Sequence, residues 1–342
     1  MYRRTFLKTG ALAGAGILTT GLSFGQQDIK VNVGRRVGMI GLDTSHSIEF
    51  TKILNREDTS NDFGGYRVVA AYPHGSKDIE SSMTRIPGYT DQMREMGIQI
   101  VDSIDELLKI TDVILLETND GRLHLEQAIR VFKAKKIMFI DKPVAGSLTD
   151  AISIFQAAKD FQVPVFSTSS MRYMTNMDEI VNRKSIGNIL GASTYSPCTL
   201  EKTHPDFYWY GVHGVEALFT VMGTGCQRVS RIHTQDTDFA VGVWVDDRIG
   251  TFRGLRKGRT GFGGEVYGET GIKSIGVDAG YAPLLKVVTK YFQTGIPPVS
   301  PEETIEIFTF MEAADESKRR NGASVILEEV RQKALSQVRK SW

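Results

Sequence analysis

The segment Asp141-Lys142-Pro143 directly follows an apolar run, and its lysine carries an ammonium group that can exchange protons. The run, Ile137 to Ile140, is typical of a buried parallel strand, and open α/β sheets bind their ligands at the carboxyl ends of such strands. Proline lacks a backbone N–H, so the chain must turn out of the sheet after the lysine. The pattern predicts an ammonium group facing a crevice, although a strand-end lysine that reaches solvent has the same spacing.

The elements that must position this lysine alternate along the first half of the chain. Strands that alternate with helices indicate a parallel, right-handed, doubly wound sheet of the α/β class. The predicted strands are Val37–Ile40, Tyr66–Tyr72, Asp112–Glu117, Ile137–Ile140 and Val163–Ser167. The predicted helices are Ser47–Leu54, Ile104–Lys109, Leu123–Ala134 and Thr149–Phe161.

After about Tyr173 the pattern changes to extended segments separated by glycine and aspartate turns, with Asp246-Asp247 as a hairpin signal. These segments predict a mostly antiparallel open sheet, and helices over one face make this second domain α+β. The segments are 191–196, 228–234, 239–245, 249–255, 263–269 and 272–277, and the helices 217–222, 284–293 and 302–318, before a helical tail at 327–338.

Composition excludes several classes of protein. The 342 residues, 41% hydrophobic and 24% charged, are typical of a globular protein of about two domains. The 41 basic residues balance 40 acidic ones, which gives no sign of nucleic-acid binding. The two cysteines, Cys198 and Cys226, lack metal-binding spacing, and we expect buried thiols, with one disulfide as the alternative.

The N-terminus resembles a twin-arginine export signal. Arg3-Arg4-Thr5-Phe6-Leu7-Lys8 precedes a weakly apolar, Gly/Ala-rich stretch, and small residues suggest cleavage after Gly25. An uncleaved anchor is the alternative. Residues 1–25 are therefore predicted to direct the protein to the periplasm or another extracytoplasmic location, with no further membrane segment.

Six short motifs in the expected order resemble the Gfo/Idh/MocA family, named for glucose-fructose oxidoreductase, inositol dehydrogenase and the rhizopine enzyme. Besides Asp141-Lys142-Pro143, which is similar to the family's Glu-Lys-Pro, they are Val37-Gly38-Met39-Ile40-Gly41, Leu115 to Asn119 with His124, Met171-Arg172-Tyr173, Gly211 to Glu216, and Ala313 to Ser317. The resemblance implies a Rossmann NAD(P)-binding domain at 35–170, a substrate and oligomerisation domain at 171–325, and a C-terminal helix at 326–342.

The resemblance also implies roles for individual residues. Lys142 and His213 would be catalytic, the lysine binding the reacting oxygen and the histidine acting as base. Arg172, Tyr173, Tyr210 and Glu216 would contact the substrate. NADP or NAD would be held by Gly41, Asp43, Thr44, Ser45, His46, Thr118, Asn119, His124, Asp141 and Lys142.

Three positions depart from the family's pattern. The glycine-rich turn reads Gly41, Asp43 and His46, so a carboxylate competes with the cofactor phosphates, unless Asp43 with Thr44 and Ser45 simply caps a helix. The second strand ends without an acid for the ribose, which favours NADP, with Ser76 and Lys77 as phosphate contacts or merely solvated residues. Trp209 stands where the family has an acid, and the aromatic residues there could stack on a sugar or belong to the core.

These observations predict an exported NAD(P)-dependent oxidoreductase that acts on a secondary hydroxyl of a sugar or glycoside, in a homo-oligomer. One alternative is an NAD-dependent glycoside hydrolase or lyase that works by transient oxidation and elimination. Another is a carbohydrate-binding relic without catalysis. No metal is expected, and the weak candidate ligands are His204, Asp206, His213 and Glu216.

Overall fold

The computed structural model describes residues 34–58, 60–183, 185–338 and 342. The predicted export signal, residues 1–25, lies outside this part of the chain. Among the described residues, no helix combines the length and the apolar character needed to cross a bilayer. The described chain begins at Gly34, two residues before the first strand.

The first sheet consists of β1 (Arg36–Ile40), β2 (Arg67–Tyr72), β3 (Gln99–Ile100), β4 (Val113–Leu116), β5 (Ile137–Ile140) and β6 (Val165–Ser167). The six strands lie in the order β3-β2-β1-β4-β5-β6, and all their pairings are parallel. Every residue of β4 and β5 is buried, because helices cover both faces of a parallel sheet. The predicted doubly wound Rossmann sheet is confirmed.

The helices of this sheet are α1 (Ser45–Asn55), α2 (Glu80–Glu95), α3 (Ile104–Ile110), α4 (His124–Lys133) and α5 (Leu148–Asp160). The sequence did not predict α2, since Pro87 and Gly88 both disfavour a helix interior. Tertiary contacts override that preference, because Ser82, Thr90 and Met93 are buried on one side of α2.

The start of α1 resolves the predicted role of the acidic turn. Thr44 is the N-cap, and its hydroxyl oxygen accepts a hydrogen bond from the backbone N–H of His46 at 3.4 Å. The helix starts at Ser45, two residues earlier than predicted. Of the three residues suggested as caps, Thr44 therefore caps the helix, whereas the suggested role of Asp43 is wrong because its carboxylate has other partners.

The second sheet consists of β7 (Ile189–Pro197), β8 (Cys226–His233), β9 (Thr237–Trp244), β10 (Ile249–Leu255), β11 (Gly263–Gly268), β12 (Gly271–Ser274) and β13 (Val325–Ile326). The order is β12-β11-β7-β10-β9-β8-β13, and only β7 and β10 of these strands pair in parallel. Asp247 has a left-handed φ of 62° in the turn between β9 and β10. The predicted mostly antiparallel sheet and its hairpin are confirmed.

The remaining helices are α6 (Met177–Val181), α7 (Val212–Met222), α8 (Ala282–Thr294), α9 (Pro301–Arg319) and α10 (Leu327–Gln337). Side chains of α7 and α9 share one hydrophobic cluster with the second sheet. The prediction that the helix at 284–293 covers this sheet is wrong, because α8 packs on the first sheet. Leu285 and Phe292 lie in the cluster that contains Val37, and the Tyr291 hydroxyl donates to the Pro164 carbonyl oxygen at 2.6 Å.

Several large apolar side chains of the second sheet stay exposed, including Leu190, Ile232, Ile249 and Ile272. Leu190, Ile232 and Ile249 each lie next to a buried residue of their own strand, so these three belong to the side of the sheet away from its helices. The predicted homo-oligomer through this open face stays a prediction. Cys198 and Cys226 are both free and buried, as expected.

Gly41 allows β1 and β4 to meet at their carboxyl ends. It has a positive φ of 99°, and a Cβ there would lie 2.3 Å from the backbone nitrogen of Thr118. We expect Gly41→Ala to lower the free energy of unfolding by about 3 kcal/mol, because strain and a backbone clash add. Chemical denaturation measures the change.

Gly88 is the matched control for this substitution. It is exposed inside α2, and a Cβ there would contact nothing within 4 Å. Gly88→Ala should stabilise the protein by about 1 kcal/mol through helix propensity. Equal effects of the two substitutions would contradict the packing assigned to Gly41.

Candidate active site

Asp141 and Lys142 follow β5 directly and lie at the carboxyl edge of the first sheet. The Asp141 carboxylate is 2.7 Å from Nδ1 of His46 and 3.4 Å from Nζ of Lys142. Lys142 is only 8% exposed, so the alternative of a solvated strand-end lysine is excluded. Burial alone would raise the pKa of Asp141, but the charges of His46 and Lys142 outweigh burial and hold that pKa below its ordinary value.

His213 lies in the first turn of α7, where its Nδ1 is 2.6 Å from the hydroxyl oxygen of Ser169. Burial, followed by the charges of Lys142 and His46, lowers the pKa of His213 well below its ordinary value. The ring is therefore neutral at neutral pH, and it is a weaker base than the sequence-based argument assumed. It can still accept a proton at the nitrogen that does not contact Ser169.

Glu117 follows β4 and was not assigned a role by sequence reasoning. Its side chain is fully buried, and neither carboxylate oxygen has a hydrogen-bond partner. Burial, together with the neighbouring Asp141 charge, raises the pKa of Glu117 well above its ordinary value. The signal that could have revealed it is an acidic residue at the end of a central parallel strand, beside the strand that carries Lys142.

The residues predicted to hold the phosphates have side-chain partners inside the protein. The Asp43 carboxylate accepts hydrogen bonds from the backbone N–H of Asn119 at 2.9 Å and from the Ser82 hydroxyl at 2.6 Å. Burial raises the pKa of Asp43, and these hydrogen bonds only partly offset that effect. A Cβ at position 75 would clash with the Asp43 carboxylate, so this position needs glycine. Asp43 thus fills space beside the helix N-terminus.

His124 has a structural position, contrary to its predicted contact with the cofactor. Its two ring nitrogens lie 3.2 Å from the Val144 carbonyl oxygen and 2.6 Å from the Thr118 carbonyl oxygen. Both nitrogens face backbone carbonyl oxygens, and burial lowers the pKa of the ring. His124 therefore ties the loop after β4 to the loop after β5.

A cleft of about 660 Å³ opens beside the carboxyl ends of β2 and β4. Asp78 and Arg122 line it, and their side chains pair at 2.5 Å. Hydrogen bonds from Arg122, then from Ser76, lower the pKa of Asp78 to about 2. Sequence reasoning found no acid for a ribose here because Asp78 lies six residues beyond the strand rather than at its end.

Two of the four predicted substrate residues, Arg172 and Glu216, contact each other. Arg172 pairs with Glu216 at 3.0 Å and with Glu303 at 2.6 Å, so both its own charge and that of Glu216 are compensated inside the protein. The Tyr173 hydroxyl is buried without a hydrogen-bond partner. Tyr210 is 37% exposed and packs edge-on against His213, with ring centroids 5.1 Å apart. Of these four predicted contacts, Tyr210 is the one whose position suits a substrate best.

The four weak metal-ligand candidates do not converge. His204 pairs with Asp120 at 3.2 Å, and Asp206 pairs with both Arg231 and Lys318 at 2.6 Å. The other two, His213 and Glu216, have the partners described above. The described side chains that do converge are His46, Glu117 and Asp141, with one possible ligand atom from each lying within 4.8 Å of the others.

These features fit a bound dinucleotide with one departure. Thr118 presents a buried hydroxyl without a partner at the end of β4, and the cleft between β2 and β4 lies where open α/β sheets bind nucleotides. The departure is the Asp43 carboxylate at the pyrophosphate turn. The fold and the site define a dinucleotide-binding protein of the Rossmann type, with a buried lysine just beyond β5 and a neutral histidine that contacts the segment after β6.

Comparison with known families agrees with this class. Residues 35–169 match the profile of the GFO_IDH_MocA family, the oxidoreductase family with an NAD-binding Rossmann fold. The first domain is therefore similar to the NAD-binding domains of that family, in agreement with the resemblance of the motifs within it.

Two curated proteins are similar to parts of the chain. An uncharacterized oxidoreductase of Streptococcus pneumoniae is 27% identical over 131 residues, 37% of this chain and 36% of that protein. The 2,7-anhydro-N-acetylneuraminate hydratase of Escherichia coli is 28% identical over 106 residues, 30% of this chain and 28% of that protein. The chain thus aligns with about a third of the length of these relatives.

The whole fold has solved counterparts. The scyllo-inositol dehydrogenase of Lactobacillus casei, solved with NAD(H) and scyllo-inositol, superposes with a TM-score of 0.69 at 14% identity. The superposition covers 86% of this chain and 99% of that chain. The similarity shows a shared fold.

The pH dependence of thermal stability tests the raised pKa of Glu117. The measurement uses protein from which metals have been removed with a chelator. An unfolded glutamate loses its proton above about pH 4.3, whereas folded Glu117 keeps it to a higher pH. The contribution of Glu117 to stability is therefore full below that pH and is lost as the pH rises toward the raised pKa. Glu117→Gln has no proton to lose, so its Tm should gain on the wild type by about 2 °C or more between pH 5 and 8.

The control for this measurement is Glu95→Gln, at an exposed position in α2. Its Tm difference from the wild type should stay constant with pH. Parallel Tm curves for Glu117→Gln and the wild type would show that Glu117 is ionised in the folded protein.

Proposed function

We propose that this protein is an NAD-dependent oxidoreductase that acts on a secondary hydroxyl of a sugar or cyclic polyol. The observation that carries the proposal is the placement of Lys142 and a neutral His213 at the carboxyl edge of an NAD-binding Rossmann sheet. The scyllo-inositol dehydrogenase with the same fold supports the choice of a polyol class.

Lys142 and His213 have different roles toward the reacting hydroxyl. The Lys142 ammonium donates a hydrogen bond to the substrate oxygen and stabilises the negative charge that develops there. In the tautomer with the proton on Nδ1, His213 donates to the Ser169 hydroxyl oxygen 2.6 Å away, and its Nε2 is then the nitrogen that accepts the hydroxyl proton. The oxidation of the alcohol to a ketone also needs an acceptor for the hydride of the substrate carbon, which NAD⁺ would supply when bound.

We infer that NAD is preferred to NADP. Asp78 lines the cleft at the end of β2, where its carboxylate would accept hydrogen bonds from the ribose hydroxyls and repel a 2′-phosphate. Ser76, predicted as a phosphate contact, is buried and donates to Asp78 at 2.6 Å. Lys77 is exposed, which agrees with the solvated alternative.

The aromatic residues before α7 suit a sugar-like substrate. Tyr210 packs against His213, while Trp209 packs against His204 with ring centroids 5.0 Å apart. A half-exposed ring beside the catalytic histidine offers a stacking surface for the C–H face of a sugar or an inositol. We also propose that the protein is exported through the twin-arginine signal, with its cofactor carried inside the folded chain.

A second candidate function is water addition or elimination after transient oxidation. The similarity to the 2,7-anhydro-N-acetylneuraminate hydratase favours it. Oxidation at one carbon makes the neighbouring C–H acidic, and the same Lys142 and His213 would then handle the protons, with no net change of the cofactor. Reduced nicotinamide would not accumulate in that case, and in a non-catalytic relic no NAD would bind at all.

Replacement of Lys142 tests the assignment of the site. Lys142→Ala should lower kcat by about 1,000-fold or more, because both a hydrogen bond and a positive charge at the reacting oxygen are lost. The assay follows the formation of reduced nicotinamide during incubation with NAD⁺ and a panel of inositols and aldoses. Analysis of the products detects a reaction that leaves the cofactor unchanged. NAD affinity, measured by calorimetry, should change little.

Lys290→Ala is the control, since Lys290 lies exposed on α8. It should keep the wild-type rate. A Lys142→Ala enzyme that turns over at the wild-type rate would refute the assigned site.

Replacement of Asp43 tests whether the carboxylate in the glycine-rich turn weakens cofactor binding. Asp43→Asn keeps an acceptor for the Asn119 N–H and removes the charge, so NAD should bind about tenfold more tightly, as ~1.4 kcal/mol of lost repulsion predicts. Asp91→Asn, at an exposed position of α2, should leave the affinity unchanged. Equal affinities of the wild type and Asp43→Asn in calorimetry would show that Asp43 does not oppose the phosphates.

A further inference from the structure

We propose that His46, Glu117 and Asp141 form a binding site for one divalent cation of the Zn²⁺ or Mn²⁺ type. Each side chain offers one ligand atom, and the three atoms lie within 4.8 Å of one another. The residues come from separate elements, the first turn of α1 and the ends of β4 and β5. All three are buried, so the cluster is an interior site rather than an acidic surface.

The unpartnered oxygens of Glu117 point independently to a missing ligand. Both are buried without a hydrogen-bond partner, and so is Oδ1 of Asp141. Buried polar atoms in folded proteins nearly always have a partner, and each exception requires an explanation. A cation bound among these oxygens would supply the partner that all three lack.

The local charges favour a cation at the same place. Two carboxylates, Glu117 and Asp141, lie close together in the interior, and Asp43 is a third buried acid nearby. Lys142 compensates Asp141 at 3.4 Å, but among the described ion pairs it has none with Glu117. A divalent ion would displace the proton of Glu117 and compensate the charge of its carboxylate.

The ligand set selects the kind of ion. One imidazole and two carboxylates suit Zn²⁺ or Mn²⁺, whereas Cu(I) prefers sulfur and Ca²⁺ needs more oxygen ligands. Tetrahedral bonds of about 2.0 Å place ligand atoms about 3.3 Å apart, so small side-chain rotations would close the site. His46 Nδ1 and the Asp141 carboxylate are already 2.7 Å apart, and the ion would replace the hydrogen bond between them.

Three protein ligands leave a coordination position open, as in catalytic rather than structural zinc sites. Because Lys142 adjoins Asp141, a substrate oxygen bound to the ion would also be close to the ammonium group. The ion would act as a Lewis acid on that oxygen. This role in turnover rests on the proposed function, whereas the binding of the ion does not.

Calorimetry on the full-length protein after removal of metals by a chelator tests the site, with ZnCl₂ and MnCl₂ as separate titrants. The wild type should bind one ion per chain. Glu117→Gln has the same shape without the charge, and it should weaken binding by about 100-fold or more. Glu95→Gln should leave binding unchanged.

His46→Ala removes the nitrogen ligand, and His233→Ala, at an exposed histidine, controls for surface binding. Only His46→Ala should lose the stoichiometric site, and circular dichroism confirms that each variant folds. The proposal is overturned if the wild type takes up no stoichiometric ion, or if both Glu117→Gln and His46→Ala retain wild-type affinity.

A parallel titration with NAD separates this proposal from the proposed function. Loss of the ion with NAD binding retained in Glu117→Gln supports the metal site as a distinct feature. Ion binding by a wild type that takes up no NAD would also support the metal site, while refuting the oxidoreductase proposal alone.

Discussion

The carboxylate of Asp141 is the contact on which the candidate site depends. It holds the imidazole of His46 at 2.7 Å and the ammonium group of Lys142 at 3.4 Å, in an interior position at the end of β5. A buried charge is tolerated when it is paired, and removal of one partner leaves the other uncompensated at a cost of about 3–5 kcal/mol. Asp141 thus joins the first turn of α1 to the edge of the sheet and orients the lysine.

Some buried polar groups of the candidate site have an ionic or hydrogen-bond partner, and others have none. Arg172 and Glu216 neutralise each other, and Asp43 accepts hydrogen bonds from Ser82 and Asn119. Glu117 has no such partner. Proteins stabilise buried polar groups almost everywhere except where a ligand completes the set, so the unpartnered Glu117 marks the part of the interior where a ligand is expected.

Much of the architecture could be predicted from local pattern. The apolar runs of β4 and β5 are buried on both faces, so periodicity and length identified them, and the alternation with helices predicted the parallel sheet. Helix α2 could not be predicted, because Pro87 and Gly88 contradict the helix that tertiary contacts enforce. The placement of α8 was also wrong, since an amphipathic helix does not reveal which of two sheets it will cover.

The sequence by itself determined the fold class and the position of Lys142, because strand runs, a proline and the order of six motifs are local properties. Only the tertiary structure decided which groups lie close to this lysine. Glu117 lies 24 residues before Asp141 in the chain and His46 lies 95 residues before it, yet their side chains meet. Parallel strands bring residues distant in sequence to one edge, and burial then sets their charge states, which no spacing along the chain records.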